Sequence, residues 1–459
     1  MNFQTFNFRR FFRLIPYTLY LFLTFNFSLL TLNTFSQTWS DVGGGTNNFV
    51  YAFGEYQNKL VVTSGGDTFG LKPINSVAVW DGVKWDSVGS GPTNGVPNSY
   101  SIYNNELYAG GNFWYMDSLP NTYHIARWNG SEWLSAGSTN NDQGQIQTMA
   151  VFNNNLYVAG NITKIGGVNV NRIAKWNGSN WSNVSGGITG GFCLIYCMAV
   201  YNGQLYVGGD FTYAGGKTTY NIARWNGTAW DSVGCAGFDN VVVTMVVDTV
   251  ANVLYVGGPF TLVGNAFAYQ SVKYVAKWND TTWSSVGNPI TNGVSVMEMY
   301  HRNLYVGSQS SHGSLSDTII AYWNGSTWHW VQGLNSTTFA LKVYKDTLYV
   351  GGAFTLPYNN IARWYSPATG IDDNNSNNES IFIYPNPATT TIYLHASNEI
   401  IGEYTVTLYD MHGKPVQKVI TSEPETVLDV SQLPQGVYTI RVLGNNMVRS
   451  EKVVKLSGP

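Results

Sequence analysis

From about residue 38 the chain runs in short stretches of alternating apolar and polar residues, each broken by asparagine, glycine or aspartate. Between Ile146 and Ser185 these stretches read IQTMAVF, NLYVAGNI, NRIAKW and NWSNVS. A period of two over four to eight residues, bounded by turn formers, predicts half-buried β-strands. The quartet then returns along the chain. Its second member appears as LVVTSGGD at Leu60, LYAGGNF at Leu107, LYVAGNI at Leu156, LYVGGDF at Leu205, LYVGGPF at Leu254, LYVGSQS at Leu304 and LYVGGAF at Leu348. Its third member ends on Trp80, Trp128, Trp176, Trp225, Trp278, Trp323 and Trp364, spaced 48, 48, 49, 53, 45 and 41 residues apart.

Self-similarity at this period marks a repeat array, and four strands per unit is the make-up of a propeller blade. The pattern therefore predicts an all-β protein, a seven-bladed β-propeller of four-stranded blades over residues 37–366. The seventh unit stops at IARWYSP without the W-x-x-V-G strand that follows in the other six, whereas TWSDVGGG stands alone at Thr38. An N-terminal strand completing the last blade would leave no open sheet edge at the seam.

The phrase IARWNGSEWLSAG at Ile125 recurs as IAKWNGSNW, IARWNGTAW, VAKWNDTTW and IAYWNGSTW. Asn129-Gly130 reads as a two-residue turn with positive φ at both positions, setting Ala126 opposite Trp133 and Trp128 opposite Ser131. The first-to-second-strand turns read as three residues, such as Asn153 to Asn155. The phrase is architectural, and the turn accounts for its N-G-[ST] pattern without a sugar.

Composition narrows the function. Only 11% of the 459 residues are charged, the formal net charge is −3, and 15% are aromatic. Nucleic-acid binding, which needs a basic stripe, is disfavoured. Arg9, Arg10 and Arg13 precede an apolar run from Leu14 to Leu32, with small residues near Ser36. Residues 1–36 read as a secretory signal cut before Gln37, an uncut anchor being the alternative. Three cysteines are too few for a disulfide scaffold; if a bridge forms, Cys235 with Cys193 is preferred over Cys197. The six histidines have no metal-ligand spacing, and no cofactor is expected.

The order of LYVGG, a strand ending in Trp and a second Trp on the next strand resembles the kelch-type repeat. GGDFTYAGGKTTYNIARWN is closer still to Rax2-like (delta-60-like) repeats of secreted or surface proteins. This resemblance implies a propeller and says little about activity. The tyrosine, histidine and cysteine set of the copper radical oxidases among kelch-like proteins is absent, and WDGVKW at Trp80 lacks the spacing of a sialidase Asp-box. After a polar linker at 367–379, the segments IYPNPATTTIYL, VTLYDMHGKPV and LDVSQLPQGVYTIRV resemble the type A C-terminal sorting domain of the type IX secretion system. That resemblance implies a small β-sandwich at 380–459, recognition by the secretion machinery, and a place in the medium or on the outer-membrane surface, with membrane contact only in transit or through an anchor.

Variation concentrates in the loops leaving the second and fourth strands, and loops over a rigid frame carry recognition. Trp114, Tyr115, Tyr123, His124, Tyr213, Tyr220, Phe267, Tyr269 and His312 depart from the repeat there and are the candidate ligand contacts. Aromatic side chains with few charges suit a glycan or a polypeptide. Asp117, Asp210, Asp239 and Asp317 share these loops, but nothing in the sequence pairs them for acid and base work. The expected function is a secreted, non-catalytic binding module for glycan or protein. The alternatives are an extracellular polysaccharide lyase or hydrolase and a structural surface-layer component.

Overall fold

A computed structural model of the chain describes residues 38–139, 144–234, 237–265, 268–287, 293–308, 320–356, 358–365, 381–384, 388–396, 403–410, 414–423, 425–444 and 447–456. The signal at 1–36, the linker at 367–379, Cys235, Phe267, His312 and Asp317 lie outside the described residues. The chain divides into a unit ending at Thr38 and a second unit from Trp39 to Pro459.

Each repeat makes one four-stranded antiparallel sheet in simple sequential order, as with Gln145–Phe152, Asn155–Asn161, Ile173–Trp176 and Trp181–Asn183. In the last such sheet Thr338–Tyr344, Thr347–Gly352 and Ile361–Tyr365 are joined by Thr38–Ser40 as the outer strand. The expectation of a closed seven-bladed propeller is corrected here. Among the described residues the strands form fourteen separate antiparallel sheets, and none of these closes on itself. With that closure the kelch-like and Rax2-like reading also falls. The repeat period reports a sheet unit: each hydrogen-bond ladder stops at its W-x-x-V strand, and neighbouring sheets meet through side chains.

Three recurring contacts explain why the repeat is written as it is. The second tryptophan of each unit donates its indole N–H to a backbone carbonyl of the unit before it. These pairs are Trp85 to Val42 O, Trp133 to Val88 O, Trp181 to Ala136 O, Trp230 to Val184 O, Trp283 to Val233 O and Trp328 to Val286 O. Trp39 makes the same bond to Gln332 O at 2.7 Å, and its ring lies 4.8 Å from that of Trp364. The W-x-x-V phrase thus donates backward through its tryptophan and accepts forward through the carbonyl three residues on. A tyrosine ending the first strand points the other way, with Tyr56 OH bonded to Asn105 O, Tyr103 OH to Asn154 O and Tyr344 OH to Asn58 O. Third, wherever it is among the described residues, the residue before an I-A-x-W or related strand takes a left-handed conformation. At φ 65 for His124, 66 for Arg172, 69 for Asn221 and 62 for Asn360, its carbonyl accepts from the glycine N–H of the second strand.

The apolar interior follows these seams. One cluster joins Tyr157, Ala159 and Ile173 to Leu205, Val207 and Trp225 of the next repeat, and another joins Tyr344 and Tyr349 to Val50 and Leu60. Removing such surface from water contributes about 25 cal/mol per Å².

Both turn expectations change. The first hairpin has two-residue turns, Asn153-Asn154 at φ 46 and 55 and Asn104-Asn105 at φ 50 and 62, and these carry the double positive φ. The tryptophan hairpin instead has a four-residue loop in which Trp128 faces Trp133 and Ala126 faces Ser135. There Asn129 Oδ1 accepts from the N–H groups of Ser131 and Glu132 and from Ser131 Oγ, and Gly130 takes the positive φ of 106. An asparagine side chain bonding its own turn replaces the left-handed backbone that the dipeptide suggested. Cys193 and Cys197 are free thiols, and the conditional pairing with Cys235 lies outside the described residues. Cys193 Sγ donates to Gly190 O within a tight turn, and Cys197 is buried with its thiol pushed up in pKa by burial.

Toward the C-terminus, Ile381–Tyr384, Thr391–Ala396 and Glu425–Asp429 form one sheet. Pro415–Thr421, Tyr404–Tyr409, Gly436–Gly444 and Met447–Lys455 form another. The two share a core of Ile392, Leu394, Val406, Leu408, Leu428, Ile440 and Val442.

Candidate functional site

The loops after the second strands fold into small sheets of their own. In the second repeat Tyr115–Met116 pairs with Pro92–Thr93, and Trp114 N–H donates to Thr93 O, which leaves the Trp114 ring 48% exposed. The Tyr115 and Tyr123 hydroxyls are 2.7 Å apart and their rings 4.9 Å apart, with His124 behind Tyr123. His124 is buried at 3% exposure, shares a hydrogen bond between Nδ1 and Thr139 Oγ1, and is pushed down to a pKa of about 4 by burial. It occupies the left-handed position before the third strand, so its place is set by the frame. Tyr213 and Tyr220 are exposed on the corresponding hairpin of the fourth repeat, and Tyr269 on that of the fifth. Tyr115, Tyr123 and His124 are thus brought together. Among the described residues no ring contact joins them to Tyr213, Tyr220 or Tyr269.

Two of the carboxylates in these loops, Asp117 and Asp239, serve backbone. Asp117 Oδ1 accepts from the N–H groups of Ser90 and Gly91, and its pKa is raised by burial against those bonds. Asp239 accepts from Thr261 N, Leu262 N and Thr261 Oγ1. Among the described residues no group of three His, Cys, Asp or Glu side chains could hold a metal ion. An open groove of about 530 Å³ lies at the first-hairpin turns and is lined by Glu55, Tyr56, Gln57, Asn58, Ile102 and Asn105. Some of its polar atoms are engaged in the frame, through Gln57 Nε2 to Tyr56 OH and Tyr56 OH to Asn105 O.

Sequence reading missed a second aromatic group. Phe49, Tyr51 and Phe339 meet where the first repeat lies beside the last, with Tyr51 and Phe339 stacked at 5.8 Å and 17°. Phe49 and Tyr51 remain 42% and 37% exposed. Their departure from the repeat at the starts of the first strands was the available signal.

The C-terminal sheets carry the one function that comparison decides. Residues 382–456 match the secretion system C-terminal sorting domain. The chain is exported to the medium or cell surface through this domain, which engages the type IX secretion machinery. The sorting domain accounts for residues after the repeats and assigns nothing to the repeats themselves. No curated protein matches the chain. Solved structures that resemble it include two from B. thetaiotaomicron, extracellular domains described as belonging to a one component system and to a hybrid two component system. Identity is 11% to each, with TM-scores of 0.43 and 0.45 and 92% of this chain covered. The chain spans 58% and 59% of the length of those two.

Proposed function

We propose that the exported repeats form a non-catalytic binding module that contacts a glycan or a polypeptide through loop-borne aromatic side chains. The supporting observation is a division of labour within the same loops: Trp114, Tyr213, Tyr220 and Tyr269 face solvent, while Asp117 and Asp239 are bonded to backbone N–H groups. Exposed rings on a fixed hairpin offer apolar area at small entropic cost. Carboxylates tied to a turn are poorly placed to donate or accept a proton on a substrate. Residues 1–36 would serve as the removable inner-membrane signal, and the repeats at 37–366 as the working part.

The test is binding by the mature protein to a glycan array and to immobilised surface polypeptides, with Trp114→Ala and the paired Tyr213→Ala and Tyr220→Ala variants alongside. Binding weakened by these changes at unchanged thermal midpoint supports the reading. Hydrolysis or elimination of a polysaccharide by the wild type would replace it.

A further inference from the structure

The first strands contain an irregularity that sequence periodicity does not display. In six of the repeats the ladder between first and second strand slips by one residue opposite the second strand's final small residues. The extra residues are Tyr51, Asn98, Gln147, Tyr196, Ser295 and Phe339. A bulge turns one side chain out of the pleat, and such residues recur beside functional sites. All six hold the same register position on strands that lie side by side, Val50–Tyr56 against both Val96–Tyr103 and Thr338–Tyr344, and so on through the repeats. Two neighbouring pairs touch directly: Tyr51 stacks on Phe339, and Asn98 Nδ2 lies 3.3 Å from Gln147 Oε1.

Each of the six is half-buried or exposed, and none carries a charge at neutral pH. Burial raises the Tyr196 pKa, with Asp210 adding to the effect, so its hydroxyl stays protonated. The tier therefore combines an aromatic platform, two carboxamides and hydroxyl groups. Aromatic faces pack on the C–H face of a pyranose, while carboxamides both donate to and accept from vicinal hydroxyls. The six side chains give no cationic partner to a uronate or a sulfate, and the one charge that acts on them, the Asp210 carboxylate beside Tyr196, would repel both.

We propose that the bulge residues form a subsite for a neutral glycan, with one sugar ring seated on Tyr51 and Phe339 and neighbouring hydroxyls held by Asn98 and Gln147. This inference rests on the binding-module reading and names its ligand class. The tier lies next to the loops that carry Trp114, because Asn112, at the end of that second strand, pairs with Val96 two residues before Asn98.

The experiment is affinity gel electrophoresis of the mature protein in gels containing xylan, laminarin, mixed-linkage β-glucan or galactomannan, with polygalacturonate and alginate as acidic counterparts. Wild-type protein is expected to be retarded by at least one neutral polymer. Tyr51→Ala and Phe339→Ala should each weaken that retardation about tenfold, as loss of a stacking ring worth about 1.4 kcal/mol would. Tyr51→Phe should preserve it, and thermal midpoints report that the variants fold. Retardation by a neutral polymer that both alanine variants keep, or retardation by acidic polymers alone, overturns the subsite. Absence of retardation in every gel overturns it too: the binding module then survives only if a polypeptide is bound in a Trp114-dependent way.

Discussion

Replacing Trp133 by phenylalanine isolates the bond that ties each repeat to the one before it. Trp133 is 1% exposed, its Nε1–H donates to Val88 O at 2.9 Å, and its ring lies 5.5 Å from that of Trp128. Phenylalanine keeps an aromatic ring in the same place but has no donor. Leaving a buried carbonyl without its partner costs about 1–3 kcal/mol. The smaller ring opens a void of roughly 40 Å³, adding about 1 kcal/mol. Trp133→Phe should therefore destabilise by about 2–4 kcal/mol, read as a lowered midpoint in guanidinium unfolding followed by circular dichroism. Trp181→Phe should match it, since Trp181 is buried and bonded to Ala136 O at 2.7 Å. Trp330, 59% exposed in the same kind of strand, is the control, and its replacement should shift stability by less than about 0.5 kcal/mol. Equal midpoints for the Trp133 and Trp330 variants would refute the account of the seam.

Other outcomes follow from single positions. His124, held near a pKa of about 4 against 6.5 when free, binds its proton more weakly folded than unfolded. Stability should be full above pH 6.5 and decline as pH falls toward 4, by up to about 3 kcal/mol, and His124→Asn should remove that part of the pH dependence of the unfolding midpoint. Gly95 has φ 127, and a Cβ there would sit 1.7 Å from Asn112 O, so Gly95→Ala should cost more than about 2 kcal/mol by thermal unfolding. Arg302 sits at φ 60 in a two-residue turn, and Arg302→Gly should raise the midpoint by the equivalent of about 0.5–1 kcal/mol. Deleting residues 382–456 should leave the repeats unexported, measured by fractionation of cells and medium.

What the sequence displayed was the unit. Apolar alternation around LYVGG and the paired tryptophans located seven sheets and their strand order, because burial on both faces demands those residues. Closure was not legible, since periodicity describes how one sheet is written and not whether ladders continue between sheets. The Asn-Gly dipeptide misled for a local reason: Asn129 uses its side chain to hold a longer loop, whereas Asn153-Asn154, lacking glycine, adopts the tighter turn. Of the candidate site, Trp114, Tyr213, Tyr220 and Tyr269 were visible as departures from the repeat, and the structure leaves them exposed. The bulge tier was hidden because its members share a backbone irregularity and no chemistry: Tyr51, Asn98 and Ser295 have nothing in common as residue types.

The strand at Thr38–Ser40 completes a sheet whose other members begin at Thr338, so one sheet is assembled from chain segments some three hundred residues apart. As the chain is made from its N-terminus, the leading segment must wait, unpartnered, until nearly all the repeats have emerged. Closing a loop of that length costs about 5 kcal/mol in chain entropy, recovered only when Trp39 finds Gln332 and Trp364. Maturation of the last sheet is thereby postponed until Ile361–Tyr365 has appeared, so a chain truncated ahead of Ile361 would leave Thr38–Ser40 without its partner strand.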